Sequence, residues 1–328
     1  MVPFFANLLP EPNSRLRHYL AAQADVDEHD DMALLDAFSN DLPGAVTLSR
    51  GEWEVPERFR RTARQPRRAL RFSLGGVQMK FSVQREGDGF VLPPDGTGGT
   101  HILKLPDADK PDLPENEAAM MRFAARCGID VPDVQLIAAK SVAGLPDVFA
   151  NFEGTAYVIE RFDRSPRGAI HIEDFAQVLR SNPEQKYEHT SFDNLMRLCS
   201  LIGEESLGEF VRRLVFTIAI ANSDTHLKNW SFRYPDRYRA VLSPAYDYVC
   251  TAAYRGFDDS LAFPLAGAAR WAAITPDSFI RAARNARVAQ PVVRSAVTEM
   301  LARIAAVWPT RITAVRRYPR QTITTNML

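Results

Sequence analysis

Nine consecutive residues, Ala221-Asn222-Ser223-Asp224-Thr225-His226-Leu227-Lys228-Asn229, concentrate two carboxamides, a carboxylate, an imidazole and an ammonium. A carboxylate that takes an acceptor's proton, together with a carboxamide that holds a magnesium ion, suits phosphoryl transfer. Asp224 is the candidate base and Asn229 the candidate metal ligand, with four residues between them. Further along, Ser243-Pro244-Ala245-Tyr246-Asp247-Tyr248 offers a single carboxylate, Asp247, as a second metal ligand.

Such a polar loop needs a rigid support. Leu207, Phe210, Val211, Leu214, Val215 and Ile218 recur at helical spacing immediately before it, with Arg212 and Arg213 off the stripe. The sequence therefore predicts a buried helix that delivers the loop. The Asp-x-x-x-x-Asn spacing is also that of the catalytic loop of protein kinases. Strands are predicted at 79–83, 101–106, 134–140, 156–160 and 238–242, the first from its alternation of apolar and polar residues. Lys104 sits inside the second strand. A helix opening at Pro114-Glu115-Asn116-Glu117 and closing at Cys127-Gly128 could supply Glu117 as its partner.

Ser14 and Asp31 are the expected caps of two N-terminal helices. From His171 onward helices are predicted at 173–179, 192–199, from Thr275-Pro276, and at 292–307. The apolar terminus Val2-Pro3-Phe4-Phe5-Ala6-Asn7-Leu8-Leu9 must find a core or a partner. The arginine-rich stretch from Arg58 to Arg71 reads as a solvated linker.

Composition bounds the function. With 40 Lys+Arg against 40 Asp+Glu the formal net charge is zero, which disfavours direct binding of DNA by this chain. Cys127, Cys199 and Cys250 are widely spaced and read as buried thiols in a reducing compartment. Neither a signal peptide nor a long apolar run is present, so a cytoplasmic protein without a membrane span is expected. The fold expected is α+β and kinase-like: residues 1–160 form a β-rich N-lobe with a helical front, and 161–328 a helical C-lobe.

An ordered series of short motifs carries a resemblance that no one of them would carry alone. The series is Ser73-Leu-Gly-Gly-Val-Gln-Met-Lys80, His101-Ile-Leu-Lys-Leu-Pro106, Asn116-Glu117, Val131-Pro132, Glu160-Arg-Phe-Asp-Arg164, His171-Ile-Glu-Asp174, Lys186-Tyr-Glu188, Asn222 to Asn229, and Leu242 to Asp247. It resembles the HipA-type toxin kinases of toxin–antitoxin systems. The resemblance implies a serine/threonine kinase that uses ATP and Mg2+, with Asp224 as base and Asn229 and Asp247 on the metal. It further implies that Lys104 binds the nucleotide phosphates, with His226, Lys228 and Tyr246 nearby, and that Gly75, Gly76, Val77 and Gln78 form the loop over them. Glu160 and Phe162 would meet adenine through their backbones, and Ser73 matches the family's autophosphorylated serine.

Partners follow from the same resemblance. They are a HipB-like helix-turn-helix antitoxin, through which alone DNA is met, and an aminoacyl-tRNA synthetase as substrate. Full-length members carry a small β-rich domain ahead of the stretch that begins here at Phe4, so the short, split, HipT-like form is expected. A small HipS-like protein would then replace the missing piece.

Other functions fit these residues less well. Two-metal hydrolysis needs more carboxylates and histidines than the six His here supply. A small-molecule phosphotransferase of aminoglycoside or sugar type shares the Asp–Asn spacing. A non-catalytic corepressor scaffold would have no use for the full polar set.

Overall fold

The structure is a computed structural model that describes residues 1–48, 78–94, 98–107, 109–150, 153–254, 256 and 259–308. At the front, α1 (Pro3–Ala6), α2 (Arg15–Ala24) and α3 (Asp31–Ala37) form a short helical segment. Ser14 caps α2 by accepting from the Arg17 N–H, as expected. The cap of α3 is Asp30, which accepts from Ala33 N; the expected cap, Asp31, is the first helical residue instead.

Next comes an antiparallel sheet in the order β2-β1-β3-β5-β4. Its strands are β1 (Lys80–Glu86), β2 (Gly89–Val91), β3 (His101–Lys104), β4 (Val134–Ala138) and β5 (Thr155–Glu160). Between β3 and β4 lies α4 (Leu113–Arg126), and α5 (Asp147–Ala150) precedes β5.

The two faces of the sheet belong to different cores, because successive side chains of a strand point to opposite sides. Phe81, Val83, Leu103, Ala156 and Val158 join Leu8, Leu9, Leu16, Leu20, Leu34, Leu35 and Phe38 in one apolar cluster. The N-terminal apolar residues thus find a core within the chain. The other face sends Tyr157 and Ile159 into the large cluster that holds α4 and the helices beyond.

Past β5, the short hairpin β6 (Arg164–Ser165) and β7 (Gly168–Ala169) leads into β8 (His171–Asp174) and α6 (Phe175–Val178). The helix expected at 173–179 is therefore cut. Asp174 is still strand, paired with Ser231, and its carboxylate forms a capping box with Gln177 at the start of α6. Strands β9 (Ser231–Tyr234) and β10 (Val241–Leu242) complete a small sheet with β8. Periodicity missed β8 and β9, which are too short to show one, while β10 falls inside the strand expected at 238–242.

The helical body comprises α7 (Phe192–Ile202), α8 (Glu204–Ala219), α9 (Pro276–Ala286) and α10 (Gln290–Val307), with the hairpin β11 (Ser260–Leu265) and β12 (Ala268–Arg270) against it. Leu207, Phe210, Val211, Leu214 and Val215 are all at most 1% exposed, so the predicted stripe is the centre of this core. Cys127, Cys199 and Cys250 are buried free thiols. None of the described helices is long and apolar enough to cross a membrane.

Candidate active site

A cleft of about 920 Å³ opens between the sheet and the helical body, and its lining brings nearly every sequence-predicted residue into one place. From the sheet side come Gln78, Lys80, Lys104, Glu160 and Phe162; α4 contributes Glu117. From the helical side come Asp224, His226, Lys228, Asn229, Tyr246 and Asp247. Ser73, Gly75, Gly76 and Val77 lie outside the described residues.

The loop from Asn222 to Asn229 is held by its own polar groups. Asn222 Oδ1 accepts the Asp224 N–H at 3.0 Å, and its Nδ2 donates to the Asp247 carbonyl at 3.3 Å, so one side chain ties both acidic segments together. Asn229 Nδ2 donates to the Asp224 carbonyl at 2.7 Å. Ala221 and Asp247 both adopt left-handed backbone conformations (φ 57 for each), which non-glycine residues hold only when their surroundings fix them. Here Thr251 fixes the first, donating to the Ala221 carbonyl through N and Oγ1. Asn116 of α4 bonds both the N–H and the carbonyl of Cys250 at 3.0 Å, which sets α4 against the Asp247 segment.

Electrostatics divide the cleft. Lys104 Nζ donates to Glu117 at 2.7 Å and also to Asp247. Burial alone would lower the Lys104 pKa; Asp247 and Glu117 overcome it and raise it, so the ammonium stays charged. Burial pushes Glu117 up to about 7 despite Lys104. For Asp247 burial is outweighed by Lys104 and Lys80, which hold its carboxyl at about 2. Lys80 stands directly across from Lys104 in the β1–β3 register, and burial pushes its ammonium down to about 8.

On the helical side, His226 Nδ1 and Lys228 Nζ are buried without a hydrogen-bond partner. Burial lowers both pKa values, that of His226 well below its usual range, so the imidazole is neutral. Asp224 is open to the cleft, yet the protein around it removes enough water to raise its pKa, with the Tyr187 hydroxyl bond pulling the other way.

The connector after β5 bears on the adenine expectation. The Glu160 N–H is spent on the Asp133 carbonyl at 3.0 Å, so any ligand edge read by Glu160 must use its carbonyl. Phe162 packs on Tyr246 with ring centroids 5.4 Å apart. The Tyr246 hydroxyl donates to the Lys228 carbonyl at 3.0 Å and lies 2.6 Å from Ser231 Oγ, which joins the two segments. Beside Phe162, Arg161 and Arg164 clamp Asp41 and Asp163 in a buried network that also includes Ser82.

Among the described residues no group of three or more His, Cys, Asp or Glu could hold a metal ion. Asn229 and Asp247 nevertheless fit magnesium, which binds through one or two protein oxygens and takes the rest from phosphates and water. The unpartnered Lys228 Nζ and His226 Nδ1, with Lys80 and Lys104, supply the cationic and donor groups that a polyphosphate requires.

Several residues of the cleft had no assigned role in the sequence: Lys80, Asp174, Lys186, Tyr187 and Glu11. All but Glu11 lie within the motif series, and that membership was the available signal. Lys80 was hidden because a lysine on the polar face of a strand ordinarily faces water.

A candidate base, two candidate metal ligands and converging lysines between a five-stranded antiparallel sheet and a helical body fit a phosphoryl-transfer enzyme of kinase-like fold. Comparison with known proteins gives its family. The HipA-like C-terminal domain model matches residues 72–308, and the HipA N-terminal domain model matches residues 1–49. The chain belongs to the HipA-like family and is a HipA-like kinase. The front segment, expected to follow a missing β-rich domain, is itself matched by the family's N-terminal domain model.

Two provisionally named kinases of Sinorhizobium fredii are similar to it: Y4dM, 42% identical over 312 residues, and Y4mE, 31% identical over 335. These alignments cover 93% and 91% of this chain and 76% of each relative. The serine/threonine-protein kinase toxin HipA of Shewanella oneidensis is 26% identical over 301 residues, covering 80% of this chain and 66% of that protein. The solved complex of Shewanella oneidensis HipA, HipB and operator DNA has the same fold. Its TM-score is 0.70 at 22% identity, with 97% of this chain and 82% of that one covered.

Proposed function

We propose that this chain is a serine/threonine protein kinase of a toxin–antitoxin system, with ATP and Mg2+ as cofactors. The observation that carries the proposal is the arrangement of the acids. Asp224 lies open to the cleft, while Asp247, joined to the same loop through Asn222, is held ionised by Lys104 of the sheet. Magnesium on Asn229 and Asp247 would neutralise the charge that develops on the transferred phosphoryl group. Asp224 accepts the proton of the acceptor hydroxyl. Lys104, oriented by Glu117, and Lys228 hold the phosphates, and the Glu160 carbonyl and Phe162 N–H meet the adenine edge. Ser73 is the proposed site of autophosphorylation.

An aminoacyl-tRNA synthetase is the proposed target, and its modification would halt translation. A HipB-like antitoxin is the proposed partner, on the family's membership in such systems and the HipB bound in the Shewanella complex. A small HipS-like partner is proposed for the N-terminal face, where Met1 and Val2 are 47% and 61% exposed. That partner should copurify with the wild-type chain and be lost with Phe4→Ser/Phe5→Ser.

Asp224→Asn and Asp247→Asn should both fold and lose phosphorylation of protein by about two to four decades, measured with γ-labelled ATP after brief expression in a bacterial host. Activity of both within tenfold (roughly 1.4 kcal/mol) of wild type would remove the assignment. Peptide mass analysis of the same samples locates the phosphate. Phosphate on acceptor proteins but never on Ser73 would remove the autophosphorylation step.

A further inference from the structure

Asp224 already carries a hydroxyl. The phenol of Tyr187 donates to Asp224 Oδ1, where an acceptor alcohol must sit before its proton can be taken. The side chain is firmly placed. Its ring meets His226 edge-on at 5.1 Å, and Lys186 Nζ lies 5.2 Å from the ring centroid. Lys186 donates to both carboxylate oxygens of Glu11 at 2.9 Å, and its carbonyl accepts the Leu227 N–H at 3.2 Å. An unbroken line of contacts therefore runs from the N-terminal segment, through Glu11, Lys186 and Tyr187, to the base. Yet Tyr187 is 43% exposed, so an incoming protein can reach it and push it aside.

We propose that Tyr187 is a gate that selects the acceptor: its hydroxyl holds the position of the acceptor hydroxyl until a docking protein displaces it, and Glu11 and Lys186 set where it stands. This inference rests on Asp224 being the base. A protein substrate can offset the lost phenol–carboxylate bond with contacts made elsewhere on its surface. Water and small alcohols have no such contacts, so the gate suppresses futile hydrolysis of ATP. In that side reaction a water oxygen bonds to the γ-phosphorus, the bond from that phosphorus to the bridging oxygen breaks, the water's proton goes to Asp224, and ADP leaves.

The probe is release of ADP from Mg-ATP by the purified full chain without any protein acceptor. Tyr187→Phe keeps the ring on His226 and deletes only the hydroxyl. Its hydrolysis rate should rise roughly tenfold, since a hydrogen bond to a charged group is removed from the ground state, while the KM for ATP stays within about twofold. Glu11→Gln leaves Tyr187 intact, loosens Lys186, and should raise the rate by a smaller factor. A rate unchanged or lowered in Tyr187→Phe means the ring merely supports His226, and the gate is overturned; no rise in Glu11→Gln overturns the lever. Phosphate found on Tyr187 of the wild-type protein would make it an acceptor rather than a gate. Asp224→Asn separates this inference from the proposed function: hydrolysis undiminished in that variant sinks the base assignment itself.

Discussion

The two walls of the cleft use the same residue type in opposite ways. On the sheet side Lys104 has two acids, Glu117 and Asp247, as partners, and its charge is secured. On the loop side Lys228 is just as buried but bonds nothing, and burial lowers its pKa. The sheet wall is an assembled ion cluster that positions Asp247. The loop wall holds groups without hydrogen-bond partners that a phosphate can satisfy. A kinase that binds ATP reversibly needs both: a preformed frame, and a place where the ligand relieves an existing electrostatic cost.

Truncating each lysine breaks this comparison in the sharpest way. Lys104→Met strands Glu117, 2% exposed, and leaves Asp247 without its nearest cation. Removing one member of a buried ion pair costs about 3–5 kcal/mol; because the Asp247 side chain is 33% exposed, we expect the low end, about 3 kcal/mol. The loss should show in the urea midpoint of the nucleotide-free protein. Lys104→Met/Glu117→Gln should recover part of it, because the stranded charge is gone. Stability equal to wild type in Lys104→Met would mean that the cluster is not a frame.

Lys228→Met should act differently on the free protein. A buried ammonium without a hydrogen-bond partner, offset only by the charges of Asp174 and Glu11, is removed, so stability changes little, while affinity for Mg-ATP falls roughly tenfold through loss of a charge-assisted contact. Calorimetric titration with nucleotide and a thermal melt without it measure the two halves. Destabilisation of the nucleotide-free protein would show that Lys228 has a structural partner after all.

The smallest effect concerns Lys80, which sharpens the boundary between the walls. Its pKa is pushed down to about 8, so it carries full charge below that value and loses its proton as pH rises through it. Only the charged form attracts phosphate. Nucleotide affinity should therefore weaken by a few-fold as pH rises past ~8, and Lys80→Met should flatten that dependence. Nucleotide titrations on either side of this pH check it, and an affinity that strengthens with pH would exclude Lys80 from phosphate binding.

How much of this was legible differs from residue to residue. The Leu207 to Ile218 stripe, the cap at Ser14 and the Thr275-Pro276 helix start are local patterns, and each appears in the fold close to where periodicity put it. In the β8–β9–β10 sheet only β10, inside the run 238–242, was legible. Its strands are four residues or shorter, and His171–Asp174 reads equally well as the front of a helix. The Asp224 to Asn229 loop stood out because so many polar groups directly follow an apolar helix.

Sequence alone thus determined the family, the chemistry-bearing residue types and the order of the motifs, since these depend only on residue identity and spacing along the chain. Tertiary structure decided everything that depends on distance between remote segments. It placed Lys80 opposite Lys104, gave Lys104 both of its acids, and left the Lys228 ammonium without a hydrogen-bond partner. It folded Phe4, Phe5, Leu8 and Leu9 against the chain itself, and it brought Glu11 to Lys186 across 175 residues. The physical reason is that burial and ion pairing set charge states, and neither exists until strands, helices and loops from distant parts of the chain share the same low-dielectric space.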